Sequence, residues 1–370
     1  MLPNIIKFLK TDAAPGLILI LSGVIAMILS NSQFAGKYFE FVNTKSPFNV
    51  IFVVNDILMT IFFLDIGLEI KHQIANGNLS SPKQIFLPTL AALGGVIIPA
   101  VFFLALNFNN HISNAGWAIP TATDTAFALG IIIILGKHVP LSLKILLLTV
   151  SVIDDILALV IIAIFYVHNI SVLFLLLSAA CILLLLCLNY YNKYNLVHYI
   201  MLGILLWICV YSSGIHPAIA GVILGLCIPK AVHYKIHHKL YFWVSFVILP
   251  IFALVNAGIP LNNLSWQQVL EPLPLGIAMG LFLGKQLGVF SFAWFGIKAK
   301  IAELPKSISW KKLYGMAVLC GIGFTMSVFI GNLAYASVGE EYMILTKVGV
   351  LAGSLLSAII GYLILRFSDH

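Results

Sequence analysis

Charge is what this sequence has least of. Asp, Glu, Lys and Arg make up 9% of its 370 residues, against about a quarter in an ordinary water-soluble domain. Apolar residues fill 61% of the chain, and the mean hydropathy is +1.07. A soluble globule is thereby excluded, and the chain reads as a polytopic membrane protein. Period-two alternation is also missing from long apolar runs such as 170–188, which argues against a membrane β-barrel. Cysteine is scarce: Cys181, Cys187, Cys209, Cys227 and Cys320 lie in apolar segments without metal-ligand spacing, so they read as small buried hydrophobes. No linker, low-complexity tract or soluble insert interrupts residues 1–370, which are expected to form a single transmembrane domain. A clean small-x-small cleavage site is absent after Lys7, Lys10 and the apolar 17–29 run, so the first helix is expected to be uncleaved.

What is present is a succession of apolar runs. A helix needs about 20 such residues to cross the hydrocarbon core, and the breakers place crossings near 12–31, 49–70, 85–106, 117–136, 141–167, 170–189, 196–212, 215–229, 240–259, 272–295, 313–336 and 343–366. Twelve crossings put both termini on one side. Only Lys37, Lys45 and Lys347 then fall on the opposite side, Lys285 falls within a crossing, and the remaining sixteen of the 20 basic residues lie with the termini. Positive-inside reasoning makes that side cytoplasmic. The net charge of +7 is therefore a matter of membrane orientation, and no nucleic-acid partner is expected.

Two crossings are irregular. The fourth contains Ala118-Ile119-Pro120-Thr121-Ala122-Thr123-Asp124-Thr125, and the eleventh contains Leu319-Cys320-Gly321-Ile322-Gly323-Phe324-Thr325. Each puts Pro, Gly or Thr where a continuous helix is wanted, and each is the middle member of a triplet of crossings. Paired interrupted helices in matching places point to an inverted-repeat transporter with its site at the midplane. The expected fold is thus an all-α polytopic membrane protein of twelve transmembrane helices, with interrupted fourth and eleventh helices and repeats at about 85–167 and 272–366.

Seven ionisable residues fall inside these crossings: Asp56, Asp65, Glu69, Asp124, Asp154, Asp155 and Lys285. Each charge at a helix centre costs about 2.5–3.5 kcal/mol even on the mildest insertion scale, so each needs a reason. Asp154 and Asp155 are adjacent. Two carboxylates about 6 Å apart repel by roughly 3 kcal/mol at an effective dielectric of about 20. A bound monovalent cation offsets that repulsion and protonation removes it, so one pair can hold either and the two compete. This is the chemistry of a cation/proton antiporter. The alternative is a fixed salt bridge to Lys285. Asp124, between Thr123 and Thr125, suits a helix break, where a carboxylate compensates facing N-termini and a lysine compensates facing C-termini; the plainer reading is a simple N-cap. Asp56 and Asp65 face opposite ways, nine positions apart, while Asp65 and Glu69 share a face at i, i+4. Glu69 also suits a solvated interface beside Lys71, and Asp56 a structural acid. His233, His237 and His238 are read as sharing one solvated cytoplasmic loop rather than forming a zinc set.

The motifs Asn55-Asp56, Gly67-Leu68-Glu69, Gly116-Trp117-Ala118-Ile119-Pro120, Thr123-Asp124, Ala126-Phe127-Ala128-Leu129-Gly130, Ile153-Asp154-Asp155, Gly284-Lys285 and Leu319-Cys320-Gly321-Ile322-Gly323-Phe324-Thr325-Met326-Ser327 together resemble the NhaA-type sodium/proton antiporter family over nearly the whole chain. The resemblance implies a bacterial inner-membrane antiporter, not an enzyme, that exchanges cytoplasmic Na+ or Li+ for H+ electrogenically, with no cofactor beyond the transported ions. It assigns Asp154 and Asp155 to the cation/proton site, Thr123 and Asp124 to the interrupted helices, and Lys285 to charge compensation. Asp56 and Glu69 match family acids at an entrance or in pH response, and His237 and His238 fall where the family can carry a pH-sensing Glu. His72 and Gln73 stand where alkaline-regulated members carry an acid and an Arg, and Asp65 replaces an apolar residue. The 31–48 connection is shorter than the β-hairpin that supports family dimers, which leaves a homodimer an open expectation. Two rivals stand beside this reading: a sodium-coupled solute symporter of the same architecture, and an intramembrane aspartyl protease, for which a Gly-x-Gly-Asp motif is missing.

Overall fold

The computed structural model describes residues 13–45, 49–76, 82–167, 169–191 and 195–368. All regular structure among them is helical. A helix or a bent helix pair overlaps each of the twelve expected segments: α1 (Ala14–Ser30), α2 (Ala35–Val42), α3 (Val50–Ala75), α4 (Pro82–Asn107), α5 (His111–Thr121), α6 (Thr125–His138), α7 (Leu141–Phe165), α8 (Val172–Tyr190), α9 (Leu196–Ser213), α10 (Ala218–Cys227), α11 (Lys230–Asn256), α12 (Pro272–Lys298), α13 (Trp310–Leu319), α14 (Phe324–Ala334) and α15 (Glu340–Arg366). Seven of these are long and apolar enough to cross a membrane, and up to 10 are if each bent pair is one span. Lys7, Lys10 and Lys193, which carry part of the orientation argument, lie outside the described residues.

The helices gather into two compact units, one drawn from Met1–Gly36, Ser81–Ala158 and Asn256–His370, the other from Lys37–Ser80 and Leu159–Val255. In the first, α4 and α12 pack backbone to backbone at Gly94 and Gly288. A Cβ on Gly94 would sit 2.2 Å from the Gly288 carbonyl oxygen, and one on Gly288 would sit 2.0 Å from that of Gly94. Any side chain there would push the helices apart, which explains small residues at the crossing. Around this contact Leu87, Ala91, Ile132, Leu147, Val289 and Met316 form a continuous buried core. In the second unit Leu68, Leu185, Tyr199, Leu206, Cys209 and Ala220 join α3, α8, α9 and α10. Outside these cores apolar side chains are freely exposed, as on α8 at Leu173, Leu176 and Leu183. Such a surface suits hydrocarbon as its solvent.

Two expectations need correction. His233, His237 and His238 are not in a loop, because α11 runs unbroken from Lys230 to Asn256. Pro229 precedes its first turn, and no breaker follows for several turns, so the helix begins well before its apolar part. Hydropathy marks where a helix can enter lipid, not where it starts. Of the five cysteines, all free, Cys187 is exposed while the other four are buried.

Candidate functional site

Each of the two irregular segments holds a pair of helices bent at a short break. α5 ends at Thr121, the chain is extended through Ala122 to Asp124, and α6 resumes at a 41° bend. α13 ends at Leu319, Cys320 to Gly323 form the break, and α14 resumes at a 42° bend. Each break exposes amide and carbonyl groups that have no partner within their own helix.

Those groups satisfy one another across the two breaks. The Thr123 hydroxyl donates to the Cys320 carbonyl at 2.8 Å, and the Asp124 N–H donates to the Ile322 carbonyl at 2.6 Å. In return, Asp124 Oδ2 accepts the Thr325 N–H at 3.0 Å and the Thr325 hydroxyl at 2.6 Å. The other Asp124 oxygen accepts the Phe127 N–H at 3.0 Å, capping α6. One carboxylate therefore serves the N-termini of both α6 and α14, where helix dipoles favour negative charge. The Ser327 hydroxyl donates to the Ile119 carbonyl at 2.7 Å, and Ser354 Oγ on α15 accepts the Gly323 and Phe324 N–H groups, each at 3.2 Å. The N-cap reading of Asp124 is thus true of one of its oxygens, while the other ties the two breaks together.

Asp154 and Asp155 lie on α7, 2% and 9% exposed. Asp154 Oδ2 stands 2.7 Å from Lys285 Nζ, in an ion pair with both side chains 1% exposed. Lys285 follows directly on a π-helical turn of α12, Gly280–Gly284. Asp154 Oδ1 is buried with no hydrogen-bond partner among the described residues. Thr123 adjoins Asp154, and Asp155 is within electrostatic reach of Asp154, Asp124 and Lys285. Three acids and one lysine thus lie buried within electrostatic reach of one another. Such a set is short of positive charge by itself.

The remaining candidates belong to the second unit. Asp56 Oδ1 is 3.7 Å from His216 Nε2, and His216 Nδ1 accepts the Ala218 N–H at 3.2 Å near the start of α10. His237 Nε2 stands 3.5 Å from Asp65 Oδ1 and 3.3 Å from Glu69 Oε2, and Gln73 donates to Glu69 at 2.6 Å. The i, i+4 pairing of Asp65 and Glu69 is what lets one histidine touch both. His238 instead neighbours Tyr234, with ring centroids 6.4 Å apart. Lys71 donates to the Leu226 and Ile228 carbonyls at the end of α10. Among the described residues no set of three or more His, Cys, Asp or Glu is arranged to hold a metal ion.

Sequence reasoning gave no role to Thr325, Ser327, Ser354 or His216. Thr325 and Ser327 stood in the eleventh-segment motif, where hydroxyls beside two glycines were a usable signal. Ser354 carried none, since it meets the break only by packing of α15.

Against this geometry, the family profile described as Na+/H+ antiporter 1 matches residues 6–365. Among curated relatives, a Na(+)/H(+) antiporter NhaA of Sulfurovum sp. is 46% identical, with 99% of this chain and 98% of the relative covered. That of Rhodospirillum rubrum is 44% identical with the same coverage, and that of Shewanella amazonensis is 44% identical over 96% of this chain and 95% of its own. The chain belongs to the Na+/H+ antiporter 1 family.

Proposed function

We propose that this protein is a multi-pass inner-membrane secondary transporter that extrudes cytoplasmic Na+ or Li+ in exchange for external H+ at Asp154 and Asp155. The observation that carries the reading is the buried acid pair on α7, with one carboxylate oxygen held by Lys285 and another left without a partner. Protons or one small hard cation satisfy that pair, and binding of one displaces the other. If two protons replace one monovalent cation, each cycle moves net charge and exchange is electrogenic. Thr123 and Asp124 then hold the broken helices beside the pair, and Lys285 stabilises the cation-free site.

Alternating access in this scheme exposes the same pair to each side in turn. Twelve crossings, cytoplasmic termini and inverted repeats at about 85–167 and 272–366 belong to the same proposal. It draws support from the two bent pairs, from their reciprocal bonds, and from the packing of α4 on α12, the first helix of each repeat. The protease reading gains nothing from the site, since Asp154 is paired with Lys285 and no Gly-x-Gly-Asp sequence accompanies either acid.

The test is a proton gradient established in inverted vesicles containing the protein. Added sodium or lithium should collapse it, and proton flux without cation dependence across the neutral and alkaline range would end the antiporter reading.

A further inference from the structure

A hydroxyl in the middle of a helix ordinarily donates to the carbonyl one turn earlier. Ser22 does so to Ile18 at 2.9 Å, Thr149 to Ile145 at 2.8 Å and Ser178 to Phe174 at 2.8 Å. Ser151 does not. Its Oγ is buried without a hydrogen-bond partner, and the residue is 0% exposed. Leaving a hydroxyl unsatisfied in a dry interior costs about 1–3 kcal/mol, so the departure needs a cause.

The position supplies one. Ser151 precedes Asp154 by three residues and Asp155 by four, the two spacings that bring helical side chains together on one face. Asp154 Oδ1 is itself buried and without a partner. Two such oxygens thus occur one turn apart on α7, and Thr123 adjoins Asp154 there. A hard cation prefers such oxygens, and a neutral hydroxyl helps to replace its hydration shell without adding charge.

We infer that Ser151 Oγ is a further ligand of the transported cation, acting with Asp154 Oδ1 and Asp155, and that it sets cation affinity without taking part in proton binding. This rests on the antiporter reading. The experiment therefore begins with the wild-type protein in vesicles, where loss of sodium-dependent proton exchange would strike that reading and not the serine alone. With exchange present, Ser151→Ala should raise the half-saturating Na+ and Li+ concentrations by about threefold to tenfold, the range expected for one lost polar contact. The maximal rate should stay within about twofold, and the competition between cation and protons should keep its form because the acids are untouched. Ser151→Cys, close in volume but with softer sulfur for oxygen, should show the same loss of affinity, and decides the matter if the alanine variant does not reach the membrane. Unchanged half-saturation in the variant that folds would overturn the inference, as would a fall in maximal rate alone, which marks a packing role.

Discussion

Replacing Asp124 removes the group on which three donors from two helices converge, and the cost can be worked from its contacts. Asp124 accepts the Phe127 N–H at 3.0 Å, the Thr325 N–H at 3.0 Å and the Thr325 hydroxyl at 2.6 Å, all in an environment where it is 2% exposed. Bonds to a charged acceptor contribute about 1.5–3 kcal/mol each. They share one carboxylate and do not add fully, so Asp124→Ala should destabilise the protein by about 4 kcal/mol. Thr325→Val deletes only the hydroxyl and leaves the backbone bond, a loss of about 1.5 kcal/mol. The double variant should cost little more than Asp124→Ala alone, because the hydroxyl has already lost its acceptor. The measurement is the unfolding midpoint of the four proteins purified in the same detergent, read by intrinsic tryptophan fluorescence. Additive losses would show that Asp124 and Thr325 act independently. An alanine variant as stable as the wild type would refute the claim that this carboxylate joins the two breaks.

Three further outcomes follow from the contacts. Asp154→Asn and Asp155→Asn should each abolish sodium-driven proton exchange in vesicles while the protein remains in the membrane, and exchange retained in both would remove the pair from the site. Gly221→Val places a Cβ 2.2 Å from the Thr60 carbonyl oxygen, so α10 must shift from α3; the expected loss is about 2–3 kcal/mol in unfolding measurements, and wild-type stability would mean the contact yields easily. His237→Gln removes the imidazole shared by Asp65 and Glu69 and should change the pH profile of exchange; an identical profile would show that the cluster has no part in pH response.

Much of this protein could be read before folding was considered. The apolar segments announce themselves because a membrane helix must be apolar along its length, and Pro120, Gly321 and Gly323 betray interrupted helices because each disturbs a hydrogen-bond ladder locally. Asp124, Asp154, Asp155 and Lys285 stood out because charge in an apolar run is costly wherever the helix ends up. The start of α11 was misread for the converse reason: the polar turn carrying His233 and His237 is helical without being apolar.

Which residues meet was decided only in three dimensions. Lys285 finds Asp154 across 131 positions, Thr123 finds the Cys320 carbonyl across 197, and Ser354 closes α14 from another helix. Composition and periodicity are sums over near neighbours, so they determined that the chain seeks lipid, where its helices break and which residues pay an electrostatic penalty. Pairing depends on how helices cross, through glycine contacts such as Gly94 with Gly288. Only that packing turned two broken segments into one shared set of caps and left the oxygens of Ser151 and Asp154 facing no partner.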